Sequence, residues 1–153
     1  MNKKFFLVLF IPLFILQISK GAHSGKLLVG LSSAKPIYKN TDTMEMTLTV
    51  LNQDPASAEY AFTSSRKYDF YMYHEKQLIW KWSNSMMFTM VLSNIILEPQ
   101  KAVTYVVTFR PKQPSGQLME PGRYKLVGAF CPKGKEFLSE PLEIEIKKET
   151  VAK

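Results

Sequence analysis

Two segments near the middle of the chain place an apolar residue at every second position, and this pattern constrains the fold more than any other feature. The apolar positions of the first segment are Tyr68, Phe70 and Met72, and those of the second are Leu78, Trp80 and Trp82. A period of two predicts half-buried strands, and the polar residues 74–77 between them have the length of a hairpin turn. We expect an antiparallel pair with both tryptophans of the chain in a sandwich core. An aromatic platform for a ligand is the alternative.

The remaining sequence after residue 24 also predicts strands. Residues 44–50, 103–109 and 142–146 alternate apolar and polar side chains, and clusters of turn residues separate them. The run 86–92 fits either a strand or a short helix, because short apolar runs do not distinguish the two. Eight or nine short strands without a convincing helix predict one all-β domain over residues 25–150, an antiparallel β-sandwich.

The segment Glu120-Pro-Gly-Arg-Tyr124-Lys-Leu126 refines this class. A turn followed by Tyr-x-hydrophobic is typical of the tyrosine corner of Ig-like sandwiches, where the phenol bonds to upstream backbone. Leu126 stands where true Ig domains carry a cysteine, so we expect a disulfide-free relative. Trp80 would then be the tryptophan buried between the sheets.

The first 24 residues predict a signal peptide rather than a part of the domain. Two lysines precede an apolar run of twelve residues at positions 5–16. A helix of that length spans about 18 Å, less than the roughly 30 Å of a bilayer core. Small residues favour cleavage after Gly21 or Ser24. We therefore expect a protein that is secreted or held in the cell envelope, without stable membrane insertion after cleavage.

Charge and reactive residues exclude several function classes. The net charge is +7, and three lysines of the expected signal peptide account for part of it. The other basic residues are scattered, so no nucleic-acid footprint is predicted. His74 lies in the expected hairpin turn and Cys131 is the only cysteine, so we expect no metal site, no cofactor and no enzyme. Lysines near Cys131 could lower its thiol pKa, but an incidental turn cysteine is the preferred interpretation.

Several of these residues together resemble the BsuPI-type proteinase inhibitor family over roughly residues 27–130. The motif residues are Ser64, Ser65, Tyr68, Asp69, Phe70, Trp80, Trp82, Ser83 and Tyr124. The resemblance implies an Ig-like β-sandwich and inhibition of subtilisin-type serine proteases. That inhibitor is described as intracellular, whereas this chain predicts export. We interpret the motif residues as structural, with Asp69 either capping the Ser-Ser-Arg turn or pairing with Arg66.

The longest polar connection, residues 110–121, is the candidate protease-binding loop. Three prolines limit its freedom, and Gln117, Leu118 and Met119 are the candidate contacts, with two apolar side chains suited to a subtilisin-type cleft. The alternative is that Leu118 and Met119 pack against the end of the sandwich. Two functions therefore stay open: a protease inhibitor, or a non-inhibitory extracellular module that binds another protein through a sheet edge or loop tip.

Overall fold

The computed structural model describes residues 22–24, 27–110, 112–113 and 115–150, and almost all of its regular structure is strand. The strands are β1 Ala22–Ser24, β2 Leu27–Ser33, β3 Ile37–Lys39, β4 Met44–Asn52, β5 Ala58–Phe62, β6 Tyr68–His74, β7 Gln77–Lys81, β8 Ser93–Leu97, β9 Ala102–Phe109, β10 Gly122–Phe130, β11 Phe137–Leu138 and β12 Leu142–Lys147. A single 3-10 turn, Trp82–Ser85, is the only helical element in the described part of the chain.

The strands form two main sheets and a separate two-stranded ribbon. The first sheet has the order β1-β2-β4-β9, and the second has the order β3-β12-β10-β6-β7 with β11 beside β10. The ribbon pairs β5 with β8. Every pairing is antiparallel except that of β3 with β12. The predicted all-β, Ig-like antiparallel sandwich is confirmed.

The core lies between the sheets, where β10 packs against β2 and β4. Met44, Met46, Leu48 and Val50 follow one face of β4 and are all fully buried, as their spacing predicts. Gly128 of β10 lies opposite, and a Cβ there would stand 2.5 Å from Leu48 Cδ1. Because glycine has no Cβ, β10 can approach the Leu48 side chain closely at this position.

The tyrosine corner is present as expected. The Tyr124 hydroxyl donates a hydrogen bond of 2.6 Å to the Glu120 carbonyl oxygen, four residues upstream. The ring is buried and the phenol therefore satisfies its polar group at the start of β10. This bond fixes the end of the connection that leads into β10.

The tryptophan hairpin forms, but a β-bulge changes which of its residues face the core. Met72 pairs with Trp80 and Tyr73 pairs with Leu78, so the register skips Ile79. The extra residue turns Leu78 to the outer face, where it is 44% exposed, and the prediction that it shares a face with Trp80 is wrong. Trp80 lies between the sheets, stacked 4.0 Å from the Phe109 ring, but only partly buried because both strands are sheet edges.

The run 86–92 and the predicted signal peptide are the two remaining features to compare with the structure. Residues 86–92 form neither the strand nor the helix considered for them. The proposed signal peptide falls on residues 1–24, of which 1–21 lie outside the described residues, while Ala22–Ser24 pairs with β2. Among the described residues, the structure has no helix long and apolar enough to cross a membrane.

Candidate protein-binding surface

Two of the family-motif residues, Phe70 and Ser83, bond to the buried carboxylate of a third, Asp69 in β6. Its Oδ1 accepts the backbone N–H groups of Phe70 at 2.9 Å and Ser83 at 3.0 Å. Its Oδ2 accepts the Ser83 hydroxyl at 2.6 Å and pairs with Arg66 Nη2 at 3.0 Å. Lys81 Nζ stands 3.6 Å away from the same oxygen. Asp69 thereby ties the start of the 3-10 turn to β6, and the predicted pairing with Arg66 is confirmed.

Arg66 extends this cluster to Glu136 and Tyr71. Its Nη2 lies 2.5 Å from Glu136 Oε1, and the Tyr71 hydroxyl donates to Glu136 Oε2 at 2.9 Å. Burial alone would raise the pKa of Glu136, but the hydrogen bonds from Tyr71 and Arg66 outweigh it, so the pKa is lowered. The pKa of Tyr71 is raised, mainly by burial and to a smaller extent by the hydrogen bond to Glu136. The cluster is thus an ionised carboxylate held by a neutral phenol and a guanidinium.

Cys131 borders the cluster without a reactive environment. Burial raises the pKa of its thiol to about 12, although the Arg66 guanidinium opposes the shift. The interpretation that neighbouring lysines lower this pKa is wrong, because burial outweighs any positive charge nearby. Within the described ranges, no group of three or more His, Cys, Asp or Glu side chains is placed to hold a metal ion.

The Ser-Ser turn before β6 holds the chain that follows the 3-10 turn. The Ser64 hydroxyl, rather than Asp69, accepts the Arg66 N–H at 3.2 Å and closes the turn. Ser65 then makes two bonds with Thr89. The Ser65 N–H donates to the Thr89 carbonyl at 2.9 Å, and the Thr89 N–H donates to the Ser65 hydroxyl at 3.0 Å. The turn is therefore hydrogen-bonded to the middle of residues 86–92.

Residues 86–92, Met-Met-Phe-Thr-Met-Val-Leu, form an exposed apolar strip that we call the methionine segment. Met87 is 98% exposed, Met90 83% and Leu92 82%. Phe88 instead turns inward, with its ring 5.8 Å from that of Trp82. Three large apolar side chains this exposed within six residues make the segment a candidate interaction surface.

A stack of three aromatic rings lies in the sandwich next to the start of the methionine segment. Tyr68 stacks on Trp82 at 4.9 Å and on Tyr105 of the other sheet at 4.4 Å. Trp82 lies in the 3-10 turn immediately before the methionine segment, so these rings fix its entry point. Tyr68, Phe70 and Trp82 contact one another within the sandwich, and Trp80 stacks on Phe109. These contacts agree with a structural role and not with an open aromatic platform.

The loop predicted to bind a protease lies elsewhere. Gln117 is exposed and Leu118 is 38% exposed, whereas Met119 is 2% exposed and belongs to the core. The packing alternative therefore applies to Met119, whose side chain is not available to a partner. The Gln113 N–H donates to the Gln117 carbonyl at 2.8 Å and closes this loop on itself. Binding through Gln117 and Leu118 stays a prediction.

The two loops stand at opposite ends of β6. Ser65, which holds the methionine segment, precedes the first residue of this strand, whereas Met119 lines a cavity beside its last residue, His74. Seven strand residues place them roughly 20 Å apart. The sequence shows the apolar alternation over 86–92, but not that the segment would lie outside both sheets.

Comparison with known proteins gives one family and a set of distant folds. The family model described as BsuPI, intracellular proteinase inhibitor, matches residues 31–134. The comparison with curated proteins found no match. Among solved structures, the sporulation control protein Spo0M of Bacillus subtilis has a TM-score of 0.51 and 12% identity over 82% of this chain and 51% of its own. At that identity it shows the fold alone.

Two further structures are similar at lower scores. The β-glucosidase EmGH1 of Erythrobacter marinus has a TM-score of 0.47 and 12% identity over 86% of this chain, which spans only 16% of the glucosidase. The CARDB domain of the PF1109 protein of Pyrococcus furiosus, solved with di-metal ions, has a TM-score of 0.45 and 11% identity over 80% of this chain and 94% of its own.

Proposed function

The chain belongs to the BsuPI family of proteinase inhibitors, and we propose that it is an exported domain that inhibits serine proteases of the subtilisin type. The family match carries the proposal, because it covers every residue of the motif around Asp69 as well as the tyrosine corner. Export is proposed from the two lysines and the short apolar run of the first 24 residues.

The geometry supports binding to another protein. An exposed apolar surface on a rigid sandwich offers contact area that a partner can desolvate. Asp69 and Ser65 already hold the backbone beneath that surface, so little further ordering would be needed on association. A surface held in place before binding loses less conformational entropy, which favours a tight complex.

Titration of the purified domain against a subtilisin-type protease tests the proposal. Residual activity on a small chromogenic substrate should fall with added domain and reach its minimum near equimolar amounts. Mass spectrometry of the mixture should show the domain intact at that point. Full protease activity in excess domain, or rapid digestion of the domain as a substrate, would refute inhibition.

A non-inhibitory extracellular interaction module is the second candidate, and the same exposed apolar segment favours it. The two functions differ in one measurement. A module of this kind would bind a protein partner while leaving protease activity unchanged throughout the titration. Such a result would support protein binding and refute the inhibitory role.

A further inference from the structure

We propose that the methionine segment is the part of the domain that enters the active-site cleft of the protease, with Met87 as the side chain that fills the main specificity pocket. This inference rests on the proposed inhibitory function. It assigns the contact to a surface other than the loop around Leu118.

Exposure and shape single out Met87. Its side chain is 98% exposed, the highest value among the large exposed hydrophobic residues of the described chain. Met86 has extended backbone angles, φ −117° and ψ 153°, so the chain enters the segment as a strand-like strip. Proteases bind substrates in extended form, and a subtilisin-type cleft accepts large apolar side chains. A flexible thioether adapts readily to such a pocket.

Anchors on both sides of Met87 explain how the segment would resist turnover. On one side, Asp69 accepts both the N–H and the hydroxyl of Ser83, just before the segment. On the other side, Ser65 bonds both polar backbone groups of Thr89. Phe88, between Met87 and Thr89, packs on Trp82.

Cleavage after Met87 would begin with attack of the protease serine on the Met87 carbonyl carbon. The Phe88 nitrogen would then leave with a proton, and water would later release the Met87 carboxylate. Because Phe88 and Thr89 stay fixed to the domain, the new amino group would remain beside the cleft and favour religation. Net hydrolysis of the bond should therefore be slow.

The experiment compares the inhibition constants of three variants with that of the parent domain. Met87→Asp places a charge in an apolar pocket and should weaken inhibition roughly 30-fold or more, as for loss of a central contact residue. Met87→Leu should restore inhibition to near the parent value. Leu118→Asp changes an exposed residue at the opposite end of the sandwich and should leave inhibition unchanged.

The melting temperature of each variant separates binding from folding. Met87 is almost fully exposed, so its substitutions should leave the melting temperature within about 2 °C of the parent. If the parent does not inhibit, the proposed function fails before this inference is reached. If the parent inhibits and Met87→Asp inhibits equally well, the inference is wrong. Loss of inhibition in Leu118→Asp alone would assign the contact to the other loop.

Removal of the central anchor gives an independent readout. Ser65→Ala deletes the hydroxyl that accepts the Thr89 N–H and should loosen the chain after Met87. Over prolonged incubation with a catalytic amount of protease, this variant should be hydrolysed several-fold faster than the parent. Intact-mass analysis should locate the cut between Met87 and Phe88. First cleavage of both proteins at another bond would overturn the assignment.

Discussion

Asp69 shows how a single buried charge organises distant parts of this chain. Its carboxylate is fully buried, yet two cationic side chains, Arg66 and Lys81, and three hydrogen-bond donors surround it. Asp69→Ala should lower the unfolding free energy by about 3 kcal/mol, because it leaves the backbone N–H groups of Phe70 and Ser83 without their acceptor. Urea denaturation followed by tryptophan fluorescence measures this cost. Ser83→Ala removes only one donor; as the matched control, it should lower the unfolding free energy by less. Equal stability of Asp69→Ala and the parent would contradict this explanation.

Glu136 predicts how stability responds to acid. Because its pKa in the folded state is lowered below the ordinary 4.5, ionised Glu136 stabilises the fold above about pH 4.5. That contribution is lost as the pH falls through the lowered folded-state pKa. Melting temperatures of the parent and of Glu136→Gln should therefore differ at pH 7 and converge as the pH approaches 3. A difference that persists or grows on acidification would show that Glu136 is not ionised against Arg66 and Tyr71.

The edge position of Trp80 gives a prediction at the level of the strand. Deletion of a fully buried core aromatic costs about 3–5 kcal/mol, and Phe70→Ala at the centre of β6 should fall in this range. Trp80→Ala should cost distinctly less, since the ring is only partly buried and stacks on one neighbour, Phe109. Chemical denaturation of both variants measures the order. If Trp80→Ala were as unstable as Phe70→Ala, the Trp80 ring would have to be more deeply buried than the structure shows.

Sequence periodicity predicted the strands that have one buried face. Residues 44–50 alternate because one side of β4 faces the core, and the tyrosine corner at Tyr124 depends on a local turn and one hydrogen bond. The bulge at Ile79 was not predictable, because a one-residue insertion leaves the alternation of the sequence intact while it reverses the faces. Short edge strands such as Phe137–Leu138 were missed, so the described chain has twelve strands rather than eight or nine.

The candidate surface was predicted less well than the fold. The motif residues Ser65 and Asp69 were recognised, and their structural interpretation agrees with the contacts, but these contacts span many residues in sequence. Ser65 bonds Thr89 and Asp69 bonds Ser83 only because the sandwich brings β6 beside the 3-10 turn. Met119 was proposed for binding because it is an apolar side chain on an otherwise polar, proline-containing loop, yet this side chain is buried in the core. Local sequence does not reveal which loop residues reach inward.

Export is a prediction about the whole molecule. Expressed with its first 24 residues, the protein should be recovered outside the cytoplasm with its N-terminus at Ala22 or Gly25, as determined by intact mass. Cleavage after Gly21 leaves β1 in place beside β2, whereas cleavage after Ser24 removes it and opens the β2 edge. A variant with Lys3→Glu and Lys4→Glu should be exported less efficiently. Recovery of only the full-length chain, in membranes or in the cytoplasm, would contradict export.

The exposed methionines make the proposed inhibitor vulnerable to oxidants. Met87 and Met90 meet solvent almost freely, whereas Met44, Met46 and Met72 are fully buried. One equivalent of hydrogen peroxide transfers an oxygen atom to a thioether and leaves water, and the resulting sulfoxide is polar. Mild peroxide treatment should therefore oxidise the segment first, abolish inhibition and preserve the melting temperature. Met87→Leu should remain active after the same treatment. In the parent domain, an oxidising environment would release the protease while the sandwich stays folded.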